Sequence, residues 1–251
     1  MRSPFPVPSS LFPFKTLMGL LLVIGASVAV GYGLSALSEQ AASGASGKTS
    51  QASAGTLPKD VYPDSRNRLP LIKREDMDDL GKKVYDETVA DARTLAGLQG
   101  PGGIRLYSPR VAASSRAGSG YLRYETDLGR RLSELAILVT AREMDQGFEW
   151  NAHEPEALRV GLEQQIIDVV KYRKPLTGLG EKEAAIIQLG REVFGRRKVS
   201  SDTFARALKL FGNKTLVDLA SLMGQYSATA ALLTTFDQHI PEGQKPLLPM
   251  P

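Results

Sequence analysis

Apolar residues recur at three- and four-residue spacings from Arg74 to Phe236, and no segment keeps the sustained strict alternation of a strand. The pattern predicts an all-α fold. A first helix is expected over 74–92, with Met77, Leu80, Val84 and Val89 along one side. The run Gly100-Pro101-Gly102-Gly103 breaks the chain, and Ser108-Pro109 restarts it as an N-cap followed by proline at the first helical position. That second helix carries Val111, Ala112 and Ala113 and ends before Asp127. A third is expected over 130–145. Its Leu135-Ala136-Ile137-Leu138-Val139 stretch is apolar on every side, the mark of a helix buried at the centre. A fourth begins near Gly147, where Pro155 beyond the first turn predicts a kink or a late start. Helices over 163–172, 181–194, 201–211 and 215–236 complete the body. The last carries Ala220, Ser221, Gly224, Ser227, Ala228 and Ala230, small residues that allow close packing.

The first 38 residues follow a different pattern. Arg2 and Lys15 are the only charges before Glu39, and the chain from Thr16 to Leu37 is apolar. Such a run is long enough to span a bilayer or to serve as the h-region of a signal peptide. Positive charge ahead of it favours a cytoplasmic N-terminus and a translocated C-terminal part. Ala36-Leu37-Ser38 offers a small-x-small cleavage site. Two readings stay open, a cleaved signal peptide and a membrane anchor, and both place the folded part outside the cytoplasm, periplasmic or secreted, or tethered. Residues 39–69 form a flexible linker rich in Ala, Ser and Gly, then an extended, proline-containing arm. The helical domain is expected over 70–241, and a proline-rich tail over 242–251.

Composition narrows the function classes. Of 251 residues, roughly 190 remain for the folded part, enough for one domain with a full core. The net charge of +4 is spread along the chain, and Arg196-Arg197-Lys198 is a short cluster, so no nucleic-acid partner is expected. The chain has no cysteine, hence no disulfide and no thiol chemistry.

Candidate chemistry gathers between Ser133 and Pro155. Gln146, Glu149 and His153 are spaced by three and four residues, which lines them up on one helix face. Glu134, on the preceding helix, reaches the same place if the two helices pack. A carboxylate facing an imidazole holds its tautomer and shifts its pKa, the usual preparation for proton transfer. Arg142 and Arg159 flank the group and could pair with a substrate carboxylate, and Trp150 is the only tryptophan. Each residue also has a structural reading: His153 as a cap, Glu134 as a first-turn acid favoured by the helix dipole, Trp150 as core, Arg142 in a surface ion pair. His239, the other histidine, ends the last helix. Glu149, His153 and Glu156 could be tested as metal ligands, but a second Glu-x-x-His and an HExxH pattern are both missing, so neither metal nor cofactor is expected. Gly100 to Gly103 lacks the lysine of a phosphate loop, and no G-x-S-x-G elbow is present.

The run from Ser133 to Pro155, sharpest at Glu149-Trp150-x-Ala152-His153, resembles the carboxymuconolactone decarboxylase family of the alkylhydroperoxidase D-like superfamily. The likeness covers roughly residues 70–241. The redox branch of that superfamily carries a Glu, a C-x-x-C pair and a His. Glu134 and His153 match the first and last of these, whereas the cysteine positions fall on Gln146 and Glu149. Dithiol chemistry needs a thiolate and a resolving thiol, and is excluded. The resemblance implies a compact helical domain that assembles as trimers or hexamers. It also implies a cofactor-independent acid–base enzyme that decarboxylates a β-keto or lactone carboxylic acid, a small-molecule substrate. His153 would carry the proton, Glu134 would orient and tune it, and Glu149 would be a second acid–base or binding group. Arg142, Gln146 and Trp150 would then lie against the substrate. The alternative is a non-catalytic or small-molecule-binding helical oligomer.

Overall fold

The computed structural model describes residues 57–91 and 95–250. The signal or anchor segment and the linker ahead of residue 57 lie outside the described residues. Within them the chain is all-α. Eight helices follow in order: α1 Asp79–Ala90, α2 Pro101–Arg105, α3 Pro109–Tyr124, α4 Arg130–Glu143, α5 Gly147–Arg159, α6 Gln164–Lys171, α7 Glu181–Gly190 and α8 Ser201–Thr235. The only extended pairing among the described residues is one antiparallel bridge, Tyr62 with Asn67.

The centre is α4, buried without a break from Ser133 to Arg142. Helices α5, α7 and α8 pack around it, with α3 and α6 on its remaining sides. Leu135, Ile137 and Leu138 meet Trp150, Ile167, Ile186, Ile187, Leu219, Leu222 and Met223 in one cluster. Each fully buried Leu or Ile contributes about 1.5–3 kcal/mol of transfer free energy, so this cluster dominates the stability of the body.

Several boundaries differ from the sequence expectation for local reasons. The first helix starts late, because the Asp78 carboxylate accepts the Gly81 N–H at 2.6 Å and caps α1; Arg74–Asp76 is only a short 3-10 turn. The Gly100 to Gly103 run begins a helix instead of merely breaking the chain, with Pro101 in its first turn. Gly103 is required there, since a Cβ would fall 2.0 Å from the Leu98 carbonyl oxygen. Helix α5 runs on through Pro155 with neither a late start nor an interruption. Pro155 has no N–H to offer the Asn151 carbonyl one turn back. The two helices expected at 201–211 and 215–236 form one element, kinked at Gly212, where φ is 70°. Helix α7 ends at Gly190 and passes into a π turn, Arg191–Arg196. There the Glu192 carboxylate accepts the Ser200 N–H at 2.7 Å, Gln188 Nε2 at 2.8 Å and the Thr203 hydroxyl at 3.0 Å. These bonds hold its pKa down at about 2 and fasten the start of α8.

Closeness between α4 and α7 depends on one residue. A Cβ on Gly190 would fall 2.2 Å from Val139 Cγ1, a stiff β-branched side chain in the centre of the core. Gly190→Ala is therefore expected to lower stability by about 1–3 kcal/mol, outweighing the gain of about 1 kcal/mol in helix propensity. Urea unfolding checks this. A lower midpoint at unchanged slope is expected, and an equal or higher midpoint would show that the helices separate freely.

The segments at the two ends of the body fasten one another. Arg68 N–H donates to the Phe236 carbonyl at 2.8 Å, His239 N–H to the Arg66 carbonyl at 2.9 Å, and Arg66 Nε to the Ile240 carbonyl at 2.7 Å. The arm thus satisfies backbone groups that the end of α8 leaves open. The tail is non-helical and packs on the body: Leu248 is buried in the main cluster, and Asn151 bonds the backbone of Lys245 and Leu247. Among the described residues no helix is long and apolar enough to cross a membrane.

Candidate active site

A carboxylate in the middle of an apolar helix needs compensation, and Glu134 on α4 has no exposed surface at all. Three cationic groups supply it. Arg130 Nη2, one turn earlier on α4, lies 2.8 Å from Oε1, and Arg123 Nη2 of α3 lies 3.3 Å from the same oxygen. His153 Nδ1 of α5 lies 2.6 Å from Oε2. Burial alone would raise the Glu134 pKa, but His153, Arg123 and Arg130 outweigh it and hold the group at about 2. Glu134 is therefore ionised at any physiological pH.

His153 has carboxylates on both sides. Its Nε2 faces Glu149 Oε2 at 3.4 Å, one turn back on α5, while Nδ1 faces Glu134. Burial works against a charged imidazole, yet the two carboxylates prevail and raise its pKa above the ordinary 6.5. An ionised carboxylate only accepts hydrogen bonds, so two of them favour the ring with both nitrogens protonated. Tyr226 of α8 packs edge-on against this ring, centroids 5.1 Å apart and planes at 85°. Burial pushes the Tyr226 hydroxyl well above its ordinary value, which keeps it a neutral donor.

His153, Glu149 and Tyr226 line an open cleft with about 160 Å³ of free volume. Arg123 and Tyr124 of α3 form part of the same wall, and Gly102 and Arg105 of α2 another. Glu134 stands behind His153, outside the lining. The fold thus brings together Glu134, Glu149 and His153, the three residues expected to carry chemistry, and places two of them on a cleft.

The three residues expected to touch substrate, Arg142, Gln146 and Trp150, are placed elsewhere, outside the cleft lining. Gln146 precedes the first helical residue of α5, so the shared-face argument does not extend to it. Its Oε1 caps the helix by accepting Phe148 N–H at 3.1 Å, and its Nε2 donates to Thr234 Oγ1 at 3.2 Å. Trp150 follows Glu149 by one residue, about 100° round the helix, and points into the core. There its indole N–H donates to Glu154, whose other oxygen accepts Lys171 Nζ at 2.8 Å. Arg142 bonds Asp145 at 2.5 Å. Arg159 pairs with Glu156 on the surface at 2.6 Å.

Several residues of the site were not singled out from sequence. Arg130 was readable, since it stands four residues before Glu134 on one helix. Arg105, Arg123 and Tyr226 come from α2, α3 and α8, and nothing local marks them. Among the described residues no group of three His, Cys, Asp or Glu is placed to hold a metal ion. No family model matches the chain, and no curated protein matches it.

Proposed function

We propose that this chain is a cofactor-independent acid–base enzyme of the carboxymuconolactone decarboxylase type, built on an alkylhydroperoxidase D-like helical domain. One observation carries the reading: His153, clamped between two carboxylates, lines an open cleft. The likeness of the Ser133 to Pro155 run supplies the reaction type, decarboxylation of a β-keto or lactone carboxylic acid. Assembly as a trimer or hexamer and export or tethering through the N-terminal segment belong to the same proposal.

In this chemistry the C–C bond to the carboxylate breaks, and its electron pair moves onto the carbonyl oxygen as CO₂ departs. The Tyr226 hydroxyl is a suitable neutral donor to that developing oxyanion. The imidazolium then gives its Nε2 proton to the carbanion carbon and is left neutral, with Glu134 still holding Nδ1–H. Glu149, beside Nε2, relays a proton from solvent to restore the starting state. A group whose pKa is raised by flanking carboxylates is held in its protonated form and can still give the proton up.

A second reading is a small-molecule-binding module without turnover. It is favoured by the burial of His153, only 4% exposed, which leaves a narrow approach to the ring. Turnover separates the two. Incubating the purified protein with a panel of β-keto acids and carboxylated lactones should release CO₂ above the uncatalysed rate for at least one member. No release across the panel would leave the binding reading in its place.

A further inference from the structure

The cleft carries a cation that the described residues leave without a counter-charge. Arg116 on its wall pairs with Asp91 at 3.1 Å and with Glu87 at 3.9 Å. Arg123 is committed to Glu134. Arg105, at the end of α2, has no carboxylate within ion-pair distance among the described residues. Among the described residues its one hydrogen bond runs from Nη2 to Thr229 Oγ1, at 2.5 Å. Thr229 in turn gives its hydroxyl proton to the Gln225 carbonyl at 2.9 Å, so its oxygen is oriented to accept from the guanidinium. One of five N–H donors is thereby used, and the planar fork is held against α8 on the cleft wall. Burial also disfavours its charge, and Glu149, farther than ion-pair distance, compensates only in part.

A half-buried, oriented and unpaired guanidinium is an uncommon arrangement to maintain, because desolvating a cation without a partner costs free energy. A ligand anion removes that cost. We propose that Arg105 is the carboxylate-binding residue of the cleft, gripping a carboxylate of the ligand through its free N–H pair while Thr229 fixes the plane of the fork. Two parallel N–H···O bonds are the geometry in which arginine binds carboxylates best. This rests on the reading of the cleft as a site for small acids, and it gives the anchoring role that Arg142 cannot fill from its position beside Asp145.

The test is calorimetric binding of butyrate, butyramide and inorganic phosphate to the full chain. Butyrate should bind the wild type and butyramide should not. Arg105→Gln should weaken butyrate by about ten- to hundred-fold, the loss expected for a charge-assisted pair. Arg105→Lys should fall between, and Arg116→Gln, which removes a cation already paired within the protein, should change little. Thermal unfolding of each variant separates lost binding from lost folding. The proposal is overturned if butyrate fails to bind, if Arg105→Gln binds it as the wild type does, if butyramide binds equally well, or if phosphate is preferred. CO₂ release is read separately. Turnover without an Arg105 effect on binding removes the anchor alone, whereas binding through Arg105 without any turnover removes the enzyme reading alone.

Discussion

Glu134→Ala is expected to destabilise the fold by about 3–5 kcal/mol, the cost of removing one partner from a buried ion cluster. The carboxylate is fully buried and faces three cationic groups, of which Arg123 is only 8% exposed and already has a buried Nε without a partner. Deleting Glu134 leaves that guanidinium with no counter-charge and the His153 ring with Glu149 alone. Acid titration carries the same signature. The ordinary pKa of the group is 4.5 and its folded value about 2, so the unfolded chain takes up the proton first as pH falls. Its contribution is complete above 4.5 and is lost down to about 2. Urea unfolding of the wild type and variant at neutral and acid pH reads both effects. The variant should be the weaker protein at neutral pH, and the difference should narrow in acid. A loss below about 1 kcal/mol, as for an exposed ion pair, would show that water reaches the cluster.

His153→Ala is expected to reduce CO₂ release by about 10²–10⁴-fold, the usual worth of a positioned general acid. The effect should fall on turnover more than on binding, because the proton moves only after the C–C bond has broken. Stability must be followed beside it, since the change removes one of the partners of Glu134 while Arg123 and Arg130 remain. Added imidazole restoring part of the rate would place the lost function in the ring itself. Release that survives the substitution would move the proton to another group, with Glu149, 3.4 Å from Nε2 and on the cleft, the nearest candidate.

The sequence revealed the elements whose signal is local. An all-round apolar run marked α4 as the central helix, and burial from Ser133 to Arg142 follows that pattern. Spacings of three and four placed Glu149 and His153 on one face, since both lie inside α5, but misplaced Gln146, which lies one residue before it. The kink at Gly212 fell where a break was expected, whereas the π turn at Arg191–Arg196 left no pattern, because its stability comes from Glu192 reaching forward to α8. Pro155 shows the opposite case: a local signal for a kink or a late start, of which the late start is overridden by packing of α5 against the central helix. The cleft itself was not legible. Its walls come from α2, α3, α5 and α8, and whether an arginine there ends in an ion pair or faces a ligand depends on three-dimensional neighbours alone.

The proposed chemistry requires His153 to be a carboxylate-clamped imidazolium, and nitrogen-15 NMR titration of the ring measures that directly. The chain has only two histidines, so a His239→Gln background leaves one imidazole to follow. A raised folded pKa predicts a midpoint above 6.5. By the same linkage, the stability that His153 contributes is complete below 6.5 and is lost as pH rises through that midpoint. A midpoint below 6.5 would contradict the carboxylate clamp and remove the proton assigned to catalysis.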